Sequence, residues 1–502
     1  MRKQRLIYNT LSSLIFQLTT IVCGFILPRY ILKSFGSEVN GLVNSISQFL
    51  GGISFLELGV GAVVQSALYK PLADKDMDEI SKIISSANAF FKKIAYILLG
   101  YVVLLCFFYH RIVVNEFGWL YDAALIIAIS ISYFSQYYFG VVDRLLLTAD
   151  QKGYIQYTAQ TITLIVNTIL CMFLIKAGAG IHFVKLTTSI VFLARPVVLR
   201  IYVNKHYQIN KKITLTEEPI AQKWNGAAQH FAAVVLDGTD SIVLSVFSNL
   251  SNVSIYAVFN IVESGVKSLF ISMTNGIQSL MGELLAKNEK EELRTLFGWT
   301  EWVIHTAAIF VFGCTAVLVI PFVRIYTMGV NDCNYEQPLF ALVITLAQAG
   351  HCLRLPYNLM ILAGGHYKKT QRCYVIAAIL NLLLSIICVK SWGLIGVAVG
   401  TLVAMVYQTV WMAIYISKCL VEWPFMTFLK QCFVDSLIFF SSYSLCSFVD
   451  MSGMTVISWI IMGVKTALIW GFVTLLVNLL INRKYIKKLV EIIGKKIGFK
   501  KI

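Results

Sequence analysis

The sequence predicts an all-α polytopic membrane protein with about fourteen transmembrane helices: two parallel six-helix bundles followed by a C-terminal helix pair. Three observations predict it. Apolar runs of about 20 residues, enough to cross roughly 30 Å of hydrocarbon as a helix, recur from end to end. Only 14% of the 502 residues are charged and 58% are apolar, against about 25% charged in an average soluble domain. Finally, QSALYKPLADKDMDEI (Gln65–Ile80) returns as QSLMGELLAKNEKEEL (Gln278–Leu293), 213 positions later and without a gap. The same shift pairs Arg111-Ile112 with Arg324-Ile325, Tyr154 with Tyr367, Gly180 with Gly393, and Tyr202 with Tyr415. A shared register over most of two halves marks a duplicated bundle. No water reaches the bilayer core to satisfy a bare backbone, so the spans are helical.

The spans are read in order as 8–32, 40–66, 88–109, 117–140, 155–176 and 181–203. After a polar joint come 226–248, 253–281, 299–323, 336–363, 372–390 and 392–416. The last two are 428–449 and 455–481. The first carries Gln17 and Pro28-Arg29 and has no small-residue cleavage pattern, so it reads as a span and not a removable leader. Spans 40–66 and 253–281 are long and rich in small or polar residues. The joint KHYQINKKITLTEEPIAQK (Lys205–Lys223) is the longest hydrophilic stretch. It divides the chain into an N-terminal bundle (1–204), a cytoplasmic linker (205–225) and a C-terminal bundle (226–417). An appended helix pair (418–482) and a basic tail (483–502) follow. Six spans per repeat, an even number, means that both copies enter the membrane the same way.

Net charge is +16. The basic residues fall in alternate loops, so they report the positive-inside bias and not nucleic-acid binding. They place both termini in the cytoplasm. The basic tail is expected either to lie on anionic lipid as an amphipathic helix or to be solvated. The eleven cysteines are dispersed with no CxxC pair, and they read as small buried apolar residues.

Polar groups inside spans carry the chemistry, because a charge at mid-bilayer costs about 2.5–3.5 kcal/mol on insertion scales. Span two holds Asn40, Asn44, Ser47, Gln48 and Glu57, many of them at three- and four-residue steps on one face. Glu57 sits in LELGVG, either as a cavity carboxylate that takes a proton or cation or as a packed, hydrogen-bonded acid. Span seven carries Asp237 and Asp240 one turn apart, and span eight carries Glu263 and Lys267 at i,i+4. Spans seven and eight correspond to one and two in the repeat, and these four helices together would line the cleft between the halves. Alternatively, Glu263 and Lys267 neutralise each other for packing. An ion-coupled switch needs a carboxylate, so Glu57, Asp237, Asp240 and Glu263 are the ion-coupling candidates. An anionic substrate needs cations, and Arg29, Lys267 and Arg354 are candidates, with Asn44 and Gln48 as polar contacts. Arg195-Pro196 and Arg354-Leu355-Pro356 put an arginine beside a proline, where it can satisfy a freed carbonyl. Asp143-Arg144 reads as a surface pair, and His182 and His305 as interfacial or packing residues.

No GxxxxGK, HExxH, GxSxG or metal-ligand spacing is present, so neither an enzyme nor a cofactor or metal is expected. A membrane glycosyltransferase or polymerase would need large outside loops, and all the outside loops here are short. A major-facilitator transporter would show a GxxxDRxGRR-like loop where this chain has YKPLADKDMDEISK.

Three stretches carry a resemblance. They are RLIYNTLSSLIFQLTTIVCGFILPRYILKSFGSEVNGLVNSI, FLELGVGAVVQSALYKPLADKD and YKKTQRCYVIAAILNLLLSIICVKSWGLIGVAVGTLVA. With the twelve-plus-two layout, the chain resembles the multidrug/oligosaccharidyl-lipid/polysaccharide exporter superfamily over essentially its whole length. Within it, the chain most resembles the O-antigen or capsule-type polysaccharide biosynthesis flippases. The resemblance implies two bundles in a V around a hydrated cationic cavity. It implies transfer of a polyprenyl-pyrophosphate-linked oligosaccharide, with membrane lipids, a polysaccharide polymerase and glycosyltransferases as partners, driven by H+ or Na+ or by the membrane potential. Relatives that flip the peptidoglycan precursor carry several arginines in spans one, two and eight. This chain departs from them, with Arg29, Lys267 and an acidic Glu57. An ion-coupled multidrug exporter of the same superfamily is the alternative.

Overall fold

The structure, a computed structural model, describes residues 2–57, 59–210, 227–449, 453 and 455–497. The linker from 211 onward and the tail from 498 lie outside them. All regular structure is helical, and no strand occurs among the described residues. Eleven helices are long and apolar enough to cross a membrane. One of these, Ile7–Glu57, holds the first expected span and the start of the second, the bent pair His230–Leu236 and Gly238–Phe247 makes a twelfth if counted as one span, and the expected span 428–449 is not among them. Large apolar side chains such as Leu104, Phe107, Phe173, Phe440 and Phe472 stand exposed, as lipid-facing residues do, while many polar side chains turn inward. The chain is therefore a multi-pass membrane protein. It divides into two compact units: Met1–Ala257 with Gly329–Cys333, and Val258–Met328 with Asn334–Ile502.

The first unit opens with α1 (Arg2–Gly51), which joins the two expected spans through a kink at Gly36. Gly36 has φ 81°, in the region that favours glycine. Asp332, from the loop assigned to this unit, accepts from the Ser37 amide at 2.6 Å and the Ser37 hydroxyl at 2.5 Å. That carboxylate caps the restarted helix. Asp332→Ala should lower stability by about 1 kcal/mol, read as a lower melting temperature in detergent; an unchanged melt would refute the cap.

Past the kink, α1 runs against the start of α9. Asn40 donates to the Ser254 hydroxyl at 2.7 Å, and Gly41 leaves room for the Leu250 carbonyl. The expected continuous span 40–66 is broken. A 3-10 turn over Gly52–Glu57 ends α1, and α2 (Val60–Asp74) starts only after Gly59, at φ 75°. The glycines that bracket this stretch supply the backbone freedom the break requires.

Next come α3 (Met77–Ile112) and α4 (Trp119–Ser135), with a π turn over Gln136–Gly140 leading into α5 (Val141–Ala149). Then follow α6 (Gly153–Lys176), α7 (Ile181–His206) and α8 (Ala227–Phe247). One apolar core, including Leu42, Ile46, Phe91, Leu125, Leu146 and Val203, holds the unit together.

Helix α9 (Leu250–Ala286) leads into the second unit and is uninterrupted. It is followed by α10 (Lys290–Tyr326), α11 (Pro338–Leu353), α12 (Leu355–Ala363), α13 (Tyr367–Trp392) and α14 (Leu394–Cys419). Helix ends keep the repeat register more faithfully than residues do. Shifted by 213 positions, α7 (181–206) becomes 394–419, the bounds of α14. The start of α5 at Val141 becomes 354, the break between α11 and α12. The break at 52–57 has no counterpart in α9.

Helices α15 (Phe425–Cys446) and α16 (Val456–Ile481) pack on α10 through Ile309, Val434, Ile438 and Trp470. The basic tail forms α17 (Arg483–Ile497) and does not begin as a free segment. Tyr485 stacks on Trp302 with ring centroids 5.3 Å apart, and the Lys488 ammonium lies 5.4 Å from the Trp299 ring.

Candidate substrate and ion site

The second unit brings several intramembrane charges together. Glu263, on α9, is wholly buried and accepts a hydrogen bond from the Thr345 hydroxyl of α11 at 2.6 Å. Its bond goes across to α11 and not to Lys267 one turn along its own helix. The second carboxylate oxygen has no hydrogen-bond partner among the described residues. A buried oxygen in that state is costly unless a proton or cation joins it.

Lys267 is half-buried, and it lies with Arg354 within electrostatic reach of the His351 ring. Arg354 sits at the break between α11 and α12, where the chain must turn before Pro356. Its guanidinium donates to the Gln408 side-chain oxygen of α14 and lies 3.2 Å from His351 Nδ1. Arg354 is thus a buried side-chain ligand and not a snorkelling surface residue. Glu263, Lys267 and Arg354 all lie within electrostatic reach of Cys352, inside a single unit.

In the first unit, Asp240 is buried and accepts from the Tyr256 hydroxyl at 3.1 Å. The side chain of Asp237 lies outside the described residues. Glu57, at the end of the 3-10 turn, accepts from Tyr137 at 2.7 Å, which ties the break in span two to the π turn. Asn44 spends an amide hydrogen on the Asn40 carbonyl at 2.8 Å. Gln48 lines a largely apolar cavity of about 840 Å³, with Phe49, Phe55, Tyr101, His230 and Phe231. Arg29 is exposed on α1, immediately after Pro28.

One expectation is corrected. Asp143-Arg144 is not a surface pair: Asp143 is buried and bonds Arg200 of α7 at 2.9 Å. His305, expected to be interfacial or packing, is a packing residue: it is wholly buried, 2.7 Å from Asp435 of α15. On α10, Glu301 accepts from Tyr357 at 2.6 Å and from Trp423 at 2.9 Å, so two acids and an imidazole share this interior. Sequence reasoning missed Thr345, His351, Gln408, Glu301 and Asp435. The acids at 301 and 435 were visible as charges within apolar runs, whereas the hydroxyl and amide partners carry no such signal.

No family model matches the sequence, and no curated protein matches it. Solved structures do. A lipid II flippase, MurJ, in an inward-closed conformation superposes with a TM-score of 0.68 at 16% identity, covering 93% of this chain and 98% of that one. An inward-facing multidrug resistance MATE transporter of the MOP superfamily gives 0.59 at 12% identity, covering 80% and 94%. A Vibrio cholerae MATE transporter gives 0.60 at 13% identity, covering 84% and 98%. The chain has the fold that these flippase and transporter structures share.

Proposed function

We propose that this protein moves a polyprenyl-pyrophosphate-linked oligosaccharide, a cell-surface polysaccharide precursor, from the inner to the outer leaflet of a bacterial cytoplasmic membrane. The observation that supports this reading most is the grouping of buried Glu263 and Arg354 with half-buried Lys267 around Cys352. A pyrophosphate crossing hydrocarbon loses its hydration, and fixed cations in a polar interior replace it. Lys267, Arg354 and Arg29 would meet the anion, with Asn44 and Gln48 bonding sugar hydroxyls. Glu263, with one oxygen left open, would take H+ or Na+, and Glu57, Asp237 and Asp240 would share that task. Each elementary charge moved is worth about 2.3 kcal/mol per 100 mV, so the membrane potential can drive the cycle. The bundles at 1–204 and 226–417 would alternate access, with both termini in the cytoplasm and with a polymerase and glycosyltransferases as partners.

Ion-coupled multidrug export is the second reading. Asp240 and Glu263, both buried carboxylates, favour it, because a cationic drug and a coupling ion would compete for them.

In proteoliposomes, a fluorescent polyprenyl-pyrophosphate oligosaccharide should become accessible on the opposite leaflet. Glu263→Gln and Lys267→Ala should slow this at least tenfold with normal insertion. Cationic-drug transport without lipid transfer would replace the first reading with the second. Wild-type rates in both variants would remove these residues from the site.

A further inference from the structure

A second polar cavity lies in the first unit, between the π turn, α6 and α7, with a volume of about 280 Å³. The π turn shapes it. The Val141 amide bonds back to the Gln136 carbonyl, which adds one residue to the turn and interrupts the regular ladder. Gly140 lets α7 come close there: a Cβ on it would lie 3.2 Å from the Pro196 side chain. Arg195, next to that contact on α7, and Arg144, one turn past the π turn, both line the cavity. Gln136, Gln156, Gln160 and Tyr133 supply further polar lining.

Charge is unbalanced in this space. Arg195 spends Nε on the Thr163 hydroxyl at 2.7 Å and lies over the Phe192 ring at 3.6 Å, so both its contacts are neutral. The Arg144 guanidinium makes no hydrogen bond or ion pair among the described residues. Among the described residues, no carboxylate lines the cavity. Of the nearby acids, Asp143 pairs with Arg200, and Glu57 accepts from Tyr137, which is itself within electrostatic reach of Arg144. The side-chain oxygen of Gln160 is buried without a partner, an acceptor waiting for a hydroxyl or amide proton. Two guanidinium groups facing one space whose described lining holds no carboxylate are costly, and a bound anion offsets that cost.

We infer that this cavity binds a phosphate ester that carries a hydroxylated group. Arginine forks match phosphate oxygens in paired hydrogen bonds. The glutamine amides and the Tyr133 hydroxyl suit neighbouring hydroxyls. The volume falls just below the roughly 300–1,000 Å³ of drug-sized pockets, which fits a phosphate head group and few further atoms. Phosphatidylglycerol in the membrane and soluble glycerol phosphate share this chemistry. The site is built from Arg144 and Arg195, so it stands apart from the Glu263, Lys267 and Arg354 cluster.

Native mass spectrometry of the purified full chain, delipidated and then given phosphatidylglycerol or phosphatidylcholine, tests the lipid source. Calorimetry with glycerol 3-phosphate tests the soluble one. Selective retention of phosphatidylglycerol, or measurable binding of glycerol 3-phosphate, supports the site and identifies its source. Affinity should fall at least tenfold in Arg144→Gln and in Arg195→Gln and persist in Arg144→Lys, which keeps the charge if the neutral variants fold poorly. Lys267→Ala should bind as the wild type does, so failure of the transport proposal leaves this one testable. Binding of neither probe, or equal binding by wild type and both glutamine variants, would overturn it.

Discussion

Alanine at position 41 should abolish accumulation of folded protein. A Cβ on Gly41 would stand 1.9 Å from the Leu250 carbonyl oxygen and 2.6 Å from its carbon. Both obstacles are backbone, so no rotamer change relieves them. α1 would have to withdraw from α9 and give up the Asn40–Ser254 hydrogen bond. Overpacking usually costs about 1–3 kcal/mol. A backbone-on-backbone overlap belongs at or above the top of that range, a large share of a stability of about 5–15 kcal/mol. Gly24→Ala is the matched control, because a Cβ there meets nothing within 4 Å. Size-exclusion of a fluorescent fusion should show a monodisperse peak for the control and aggregate for Gly41→Ala. A monodisperse Gly41→Ala with an unchanged melt would rule out the close approach.

The second large effect belongs to Asp435. It accepts from Gln431 at 3.0 Å and faces His305 at 2.7 Å, in an interior shared with Glu301 and Tyr357. Removing one partner of a buried pair costs about 3–5 kcal/mol, because the survivor stays buried and uncompensated. Asp435→Ala should therefore melt far below wild type. His305→Leu combined with Asp435→Leu should recover much of the loss, since apolar side chains of similar size pack without desolvation cost. If the single variant melts with the wild type, or the pair of changes is additive, the network does not act as a unit.

Most helical spans were legible because they are long apolar runs, and the 213-position register reappears at the bounds of α7 and α14 and at the break between α11 and α12. The interruptions were harder to read. Glycines around 51–59 and the Arg354-Leu355-Pro356 run signal freedom or constraint, yet neither says whether the helix bends or stops. At Glu57 the helix stops; at Gly36 it kinks within one run of helix. The candidate site was legible only as a set of expensive charges. Glu263 and Arg354 stood out by their cost, but Thr345 and Gln408, which receive them, lie 82 and 54 positions away. Sequence spacing cannot carry that information, since any helix of the unit was an equally open neighbour.

Helices α15 and α16 look like a module, because the first repeat has nothing like them. Their chemistry denies that independence. Asp435 of α15 answers His305, and Asn478 of α16 accepts from the Trp302 indole at 2.8 Å. Under the 213-position shift, Glu301 and His305 correspond to Asn88 and Lys92, and Lys92 is exposed in the first unit. Without α15 and α16, His305 would lose Asp435 and the Trp302 indole would lose Asn478, so the pair is bonded into the second unit and not merely laid against it.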